Sequence, residues 1–297
     1  MIEKILIYGS NGWIGSQFKK FLRENTKYII IDGLVRLDNM EELEKEIKDF
    51  SPSHIIGFTG RTHGKIGDKV YSTIDYLEEE GKLVDNIRDN LQGPLNLSII
   101  SKKMGIHYTY LGTGCIFEYD LGHPFGKEVS GFTEECKPNF FGSSYSIVKG
   151  FTDKLLHNFE DSVLNLRIRM PITEDNNPRN FISKITKYSK ICSIPNSMTV
   201  LPDFYPIILD LMEKDFKGTL NLTNPGLISH NEMLEMYKEI VNTDFTWENF
   251  SIEEQDTILA SKRSNNFLDT SKLEEMYPEV LNIKDSVRKI LQNYNHL

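Results

Sequence analysis

In YSIVK, a tyrosine at 145 stands four residues before a lysine at 149. On a helix that spacing puts both side chains on one face. An ammonium close by favours tyrosinate, so Tyr145 can exchange a proton with a carbonyl or alcohol oxygen near working pH. Such pairs also arise by chance on solvated helix faces, and this one gains weight from what precedes it. GSNGWIG places Gly9, Gly12 and Gly15 directly behind the apolar run KILIY, residues 4–8. Glycines there permit a tight strand-to-helix turn and let backbone N–H groups approach a pyrophosphate at the helix N-terminus. Thr113 closes HYTYLGT, residues 107–113, and so sits at a strand C-terminus, where open α/β sheets bind ligands. Two residues on, in LGTGCIFEYD, Cys115 stands at the mouth of that strand. A cysteine there either packs or reacts.

Asp32 lies 17 residues past Gly15, where an acid binds the ribose 2′-hydroxyl of NAD. Arg36 suits a 2′-phosphate instead, so the residues leave NADH and NADPH open. Asp38 either faces the adenine or caps the helix that follows. The cofactor set is completed by Asn11, Trp13 and Ile14 in the glycine turn and by Thr59 and Gly60 after the third strand.

The elements that must hold these groups follow from periodicity. Strands are expected at 4–8, 28–32, 54–58, 107–113, 163–171 and 218–226. Helices are expected at 13–25, 40–50, 81–103 and 145–159. Strand and helix alternate through the first 170 residues, which argues for a doubly wound parallel sheet of Rossmann type. The expected division is a dinucleotide-binding domain over 1–172, rejoined by the strand near 218–226, and a smaller substrate lobe over 173–297. The C-terminal run KLEEMYPEVLNIKDSVRKILQNY reads as surface helices.

The chain has 297 residues and a formal charge of −9, without any block of Lys or Arg. Nucleic acid and anionic membranes are therefore unfavoured partners. No apolar run is long enough for a membrane span, and the N-terminus is not patterned as a signal peptide. The three cysteines form no CxxC pair, and the seven histidines show no ligand spacing. Neither a disulfide framework nor a metal site is expected, and a reducing, cytoplasmic location fits.

The glycine motif, Thr113, Tyr145 and Lys149 together resemble the cofactor loop and catalytic triad of the extended short-chain dehydrogenase/reductases. Pro171 matches the place where that family's chain passes the nicotinamide, and Asn90 an asparagine of its long central helix. LGTGCIFEYD, PRNFISKI, IPNSMTVL, NLTNPG, SHNEMLEMYK and RSNN resemble, more narrowly, the nucleotide-rhamnose synthases, which are 3,5-epimerase/4-keto-reductases.

This resemblance implies NADPH as cofactor and UDP-4-keto-6-deoxyglucose as substrate, made by a separate 4,6-dehydratase. The C–H bonds at C3 and C5 of that sugar are acidic because both flank the ketone. Inverting either centre takes a base on one face, an acid on the other and stabilisation of the enolate oxygen. Thr113 and Tyr145 suit that oxygen. Cys115 is the expected base, and a similar cysteine occurs in GDP-fucose synthase. Lys184, in NFISKI, is the expected acid, with Asn180, His123 and His230 as competitors. Arg263 would pair with the diphosphate. Asn177, Arg179, Asn224, Asn265 and Asn266 suit hydroxyl and uracil contacts. A homodimer is expected, as in related enzymes. The competing readings are a plain 4-keto-reductase with Cys115 structural, and a non-catalytic NAD(P)-binding regulatory subunit. Retention of Tyr145 and Lys149 argues against the last.

Overall fold

A computed structural model describes residues 3–294. In chain order the elements are β1 (Lys4–Tyr8), α1 (Trp13–Asn25), β2 (Ile29–Asp32), α2 (Met40–Phe50) and β3 (His54–Gly57). A small hairpin, β4 (Gly64–Ile66) and β5 (Lys69–Tyr71), precedes α3 (Lys82–Ile87), α4 (Gly93–Met104) and β6 (His107–Thr113). There follow α5 (Ser144–Leu156), β7 (Val163–Ile168), α6 (Phe181–Ile185), β8 (Lys190–Ile191), α7 (Leu201–Glu213) and β9 (Gly218–Asn221). The chain ends through α8 (His230–Ile240), β10 (Glu248–Asn249), α9 (Ile252–Ile258), α10 (Ser271–Met276) and α11 (Ile283–Gln292).

Two compact units emerge, each assembled from several stretches. The first takes the chain up to Thr113, with Ser144–Leu166 and Tyr205–Leu220; the second takes Gly114–Ser143, Arg167–Phe204 and the chain from Asn221 onward.

The first unit is built on a six-stranded sheet ordered β2-β1-β3-β6-β7-β9, in which β1 pairs in parallel with β2 and β3, and β3 with β6. β1 is buried along nearly its whole length, as a strand covered on both faces must be. The order reverses across β1 and β3, which makes the carboxyl ends of those strands the switch point where such sheets bind ligands. Leu43 and Ile47 turn the buried stripe of α2 into the core with Leu6, Ile55, Leu97 and Tyr108. The cap of α2 is Asn39, whose side chain accepts from the Glu42 amide. Asp38 is thus not the capping residue.

The second unit has its own apolar core of Ile172, Ile182, Met198, Val200, Met233, Leu234, Ile283 and Val287. A capping box of Ser229 and Glu232 starts α8. Of the C-terminal helices, α11 lies at the surface as expected, its polar face exposed, and buries Ile283, Val287, Ile290 and Leu291 in the core of the second unit. The strand expected to reach 226 stops at Asn221. Beyond it the Leu222 and Asn224 amides donate to the Arg167 and Met198 carbonyls of the second unit. Among the described residues no helix is long and apolar enough to cross a membrane.

Candidate active site

In the first unit, the glycine turn fits a dinucleotide. Gly9 has φ +78°, a conformation in which a side chain is strained. A Cβ on Gly15 would lie 2.2 Å from the Gly9 carbonyl oxygen, so only glycine lets α1 start this close to β1. Gly12 caps α1 without any side-chain bond, so side chains do not occupy its first amides. Asn11 is exposed, Ile14 half-buried and Trp13 buried. Just past β3, the Thr59 hydroxyl is buried with no hydrogen-bond partner among the described residues.

Lys19 was not singled out in the sequence, yet its Nζ lies 3.0 Å from Asp32. Partial burial pushes the Asp32 carboxyl up, but the Ser10 hydroxyl, Lys19 and Arg23 outweigh it and hold the group below the usual carboxylate range. Arg36 pairs with Asp38 at 3.0 Å and with Asp89 at 3.2 Å.

Asn90 lies in a π turn, Arg88–Gln92, that interrupts the helix expected over 81–103. Its side chain grips Arg61, accepting from the amide at 2.8 Å and donating to the carbonyl at 2.9 Å, while donating also to Asn86. A Cβ on Gly60 would press on the same amide oxygen. Asn86 in turn donates to Ser144, the first residue of α5. Asn90 thus braces the loop after β3 against the helix that carries Tyr145. The Asn90 carbonyl, freed by the π turn, accepts from Thr152 at 2.6 Å.

Lys149 is only 5% exposed. Its ammonium donates to the Tyr110 hydroxyl and lies 4.5 Å from the centre of that ring. Burial pushes the Tyr110 phenol far up, with Tyr108, Tyr145 and Asp153 adding to it, so Tyr110 is a neutral partner. The effect of Tyr145 on it places the two phenols within electrostatic reach. Tyr110, which sequence spacing did not reveal, is therefore one of the groups that orient the lysine. Thr113 ends β6, buried to 7% exposure.

In the second unit, Cys115 is half-buried. Its loop is held at both ends: the Gly114 carbonyl accepts from Arg169 and Asn266, and the Phe117 carbonyl from Ser264 and Asn266. The RSNN stretch therefore acts mainly through its second and fourth residues. Asn265 accepts from Asn196 at 2.8 Å, and Arg263 donates to Ser261.

Lys184 lies in the last turn of the short helix α6. Burial and the Arg179 and Arg263 guanidiniums hold its ammonium below the ordinary lysine range, with Cys115 pulling the other way. Lys184 and Cys115 thus lie within electrostatic reach. The rival acids are differently employed. Asn180 caps α6 and spends its amide on the Thr173 and Asp175 carbonyls. His123 pairs with Asp120 and stacks on Phe132. His230 faces the Cys192 carbonyl at 2.6 Å through Nδ1, and burial pushes its pKa down, so it stays neutral.

No family model matches the chain. Individual proteins do. The crystal structure of the UDP-rhamnose synthase of Acanthamoeba polyphaga mimivirus superposes with a TM-score of 0.94 at 51% identity, covering 99% of this chain and 100% of that one. The bifunctional dTDP-4-dehydrorhamnose 3,5-epimerase/dTDP-4-dehydrorhamnose reductase of Arabidopsis thaliana is 43% identical over 290 residues, 96% of this chain and 91% of that protein. The chain belongs to the nucleotide-rhamnose synthases, within the extended short-chain dehydrogenase/reductases. An Arabidopsis trifunctional UDP-glucose 4,6-dehydratase/3,5-epimerase/reductase is also 43% identical, and this chain spans 41% of its length.

The remaining residues marked in the sequence fall into the second unit of this synthase fold. Pro171 follows Met170, whose φ of +40° bends the chain sharply after β7. Asn177 accepts from the Arg179 amide, and Arg179 is exposed. Asn224 is fully buried and wholly engaged with Val200, Asp203 and Leu281. Its position is that of a framework residue. The sequence showed no metal-ligand spacing, yet the register of β3 and β6 sets His54 beside His107, with Asp215 near both. Both rings contact carbonyls through Nε2, of Met212 and Phe216 respectively.

Proposed function

We propose that the chain epimerises UDP-4-keto-6-deoxyglucose at C3 and C5 and reduces C4 to give UDP-L-rhamnose. Its membership of the synthase family supports the reaction class. The observation that carries the reading is Cys115 set within electrostatic reach of Lys184, whose ammonium burial holds below the ordinary lysine range.

In this reading the Cys115 thiolate removes the proton α to the ketone, and Lys184 returns one to the opposite face of the ring. Lys184 suits the task because a lysine held below its ordinary pKa is a stronger acid. Thr113 and Tyr145 hydrogen-bond the C4 oxygen while it carries enolate charge. Bound NADPH supplies the hydride for C4. Tyr145 then gives its proton to the C4 oxygen, assisted by the buried Lys149 charge.

Gly9, Gly12, Gly15 and Thr59 would hold the cofactor's phosphates and nicotinamide ribose. Lys19 and Arg36 favour a 2′-phosphate, because Lys19 already neutralises Asp32. Arg263 and Arg179 would meet the sugar-nucleotide diphosphate. The substrate requires a 4,6-dehydratase, an activity named for the longer Arabidopsis relative. A homodimer is part of this reading, and free thiols fit a reducing cytoplasm.

Purified protein given UDP-4-keto-6-deoxyglucose and NADPH should yield a rhamnosyl product by NMR. In D₂O, Cys115→Ser should lose deuterium exchange at C3 and C5 by orders of magnitude. It should still reduce substrate supplied already epimerised. Undiminished exchange in that variant would make Cys115 a packing residue and leave a plain reductase.

A further inference from the structure

The amino ends of β3 and β6, at the end of the sheet away from the glycine turn, gather a second set of ligand-bearing side chains. His54 opens β3 and His107 opens β6, in register. They are 7% and 4% exposed, and their ring centres lie 5.1 Å apart. Each ring is held by one nitrogen. His54 Nε2 lies 3.0 Å from the Met212 carbonyl oxygen, and His107 Nε2 lies 2.7 Å from that of Phe216. A carbonyl only accepts, so Nε2 carries the ring proton and donates it. In a neutral ring Nδ1 then keeps a lone pair. Both Nδ1 atoms are buried with no partner among the described residues. Orphaned buried acceptors cost stability that a bound ligand would recover.

The carbonyls that hold the rings belong to residues on either side of Asp215, in the turn between α7 and β9. One ligand atom from each ring and one carboxylate oxygen of Asp215 lie within 4.8 Å of one another. An imidazole whose other N–H rests on a backbone carbonyl is the arrangement in which proteins fix a metal-binding histidine. Two nitrogens and a carboxylate suit zinc, whereas calcium and magnesium take oxygen ligands. A cavity of about 290 Å³ borders His107 and Asp215 and is lined also by Lys102, Asp161, Ser162 and Lys217. It has room for a water as fourth ligand, and the exposed Asp215 gives an ion a way in. The lysines there are paired, Lys217 with Asp215 at 2.9 Å and Lys102 with Asp161 at 2.8 Å. Lys217 is thus the cation an ion displaces. Its side chain is 33% exposed, so the ammonium can turn to water.

We propose that His54 and His107, each through Nδ1, and Asp215 form a structural zinc site that ties the α7–β9 turn to the sheet. Tetrahedral ligands at zinc distances stand roughly 3.4 Å from one another. The exposed Asp215 carboxylate therefore draws inward as the ion binds. Because the Met212 and Phe216 contacts do not depend on the ion, the chain should stay folded in excess EDTA.

Untagged full-length protein, treated with EDTA and desalted, is titrated with zinc sulfate by calorimetry, with cobalt(II) as a visible probe. One zinc should bind per chain. Cobalt should give the intense visible bands of a tetrahedral ion without the near-ultraviolet band of thiolate ligation, which sets this site apart from the free cysteines. Asp215→Asn and His107→Gln should each weaken zinc binding at least tenfold. Zinc should raise the urea midpoint of the wild type and leave that of Asp215→Asn where it was. Absence of stoichiometric binding, undiminished binding in Asp215→Asn, or a cobalt spectrum with the thiolate band would each overturn the site. Should His107→Gln not fold, Asp215→Asn still decides, since its side chain is exposed and its loss leaves the core untouched.

Discussion

Single side chains divide the labour by the charge each can carry. With Tyr145 as the proposed proton donor of the reduction, Tyr145→Phe should cut reduction by roughly 10²–10⁴-fold. The fold should persist, since the change removes one hydroxyl. A stopped-flow or steady-state NADPH oxidation assay checks this, and near-normal turnover would remove Tyr145 from the mechanism. Lys19 decides a second point. Its ammonium, 3.0 Å from Asp32, cancels the carboxylate that would otherwise repel a 2′-phosphate. We expect the wild type to favour NADPH by kcat/KM. Lys19→Ala should reduce that preference about tenfold, or roughly 1.4 kcal/mol. A wild-type preference for NADH would mean that Asp32 binds the ribose hydroxyl directly.

Elements set these groups in place through a few irregular joints. The π turn at Arg88–Gln92 buries Asn90 and frees its carbonyl for Thr152, tying the loop after β3 to α5. At the opposite end of the sheet, His54 and His107 share a register position on β3 and β6. Burial pushes His54 down to about 4, and the neighbouring ring of His107 adds to the shift. His107 is lowered for the same first reason. Both are therefore neutral in the folded chain while the unfolded chain takes up protons near 6.5. The contribution of each is fully present above that pH and is lost as pH falls, for His54 toward about 4. For His54 the loss is on the order of 3 kcal/mol. Urea midpoints at pH 7.5 and 5.0 should show it. His54→Gln, which keeps a donor for the Met212 carbonyl but does not titrate, should show a smaller drop. An equal pH dependence in wild type and variant would place the acid sensitivity elsewhere.

At the scale of the whole molecule, the first unit leaves apolar side chains in water on three neighbouring helices. Leu83 and Val84 on α3, Ile99 on α4, and Phe151 and Leu155 on α5 are all exposed, Phe151 to 53%. Clustered apolar exposure of this kind marks an interface. Light scattering at micromolar concentration should therefore give twice the 34.3 kDa chain mass. Phe151→Lys should shift it to the monomer. A monomeric wild type would refute the pairing.

The sequence by itself determined the parts of this protein that depend on local pattern. The glycine turn, the period of β1 and α1, and the i, i+4 pair of Tyr145 and Lys149 are short-range features, and the fold carries each where it was expected. The family was legible for the same reason: its motifs are contiguous strings. Tertiary structure alone decided what depends on residues distant in the chain. Lys19 reaches Asp32 through the packing of α1 on β2. Tyr110 meets Lys149 because β6 runs beside α5. Arg169 reads in sequence as one more residue of an alternating strand, RIRMP, and only the fold shows it buried with neutral oxygens as its hydrogen-bond partners among the described residues. Amphipathic α11 is the surface helix its period announces, but that period does not say which core covers its apolar face. Periodicity fixes which residues face together, whereas the neighbours they face, and the dielectric those neighbours create, come from the fold.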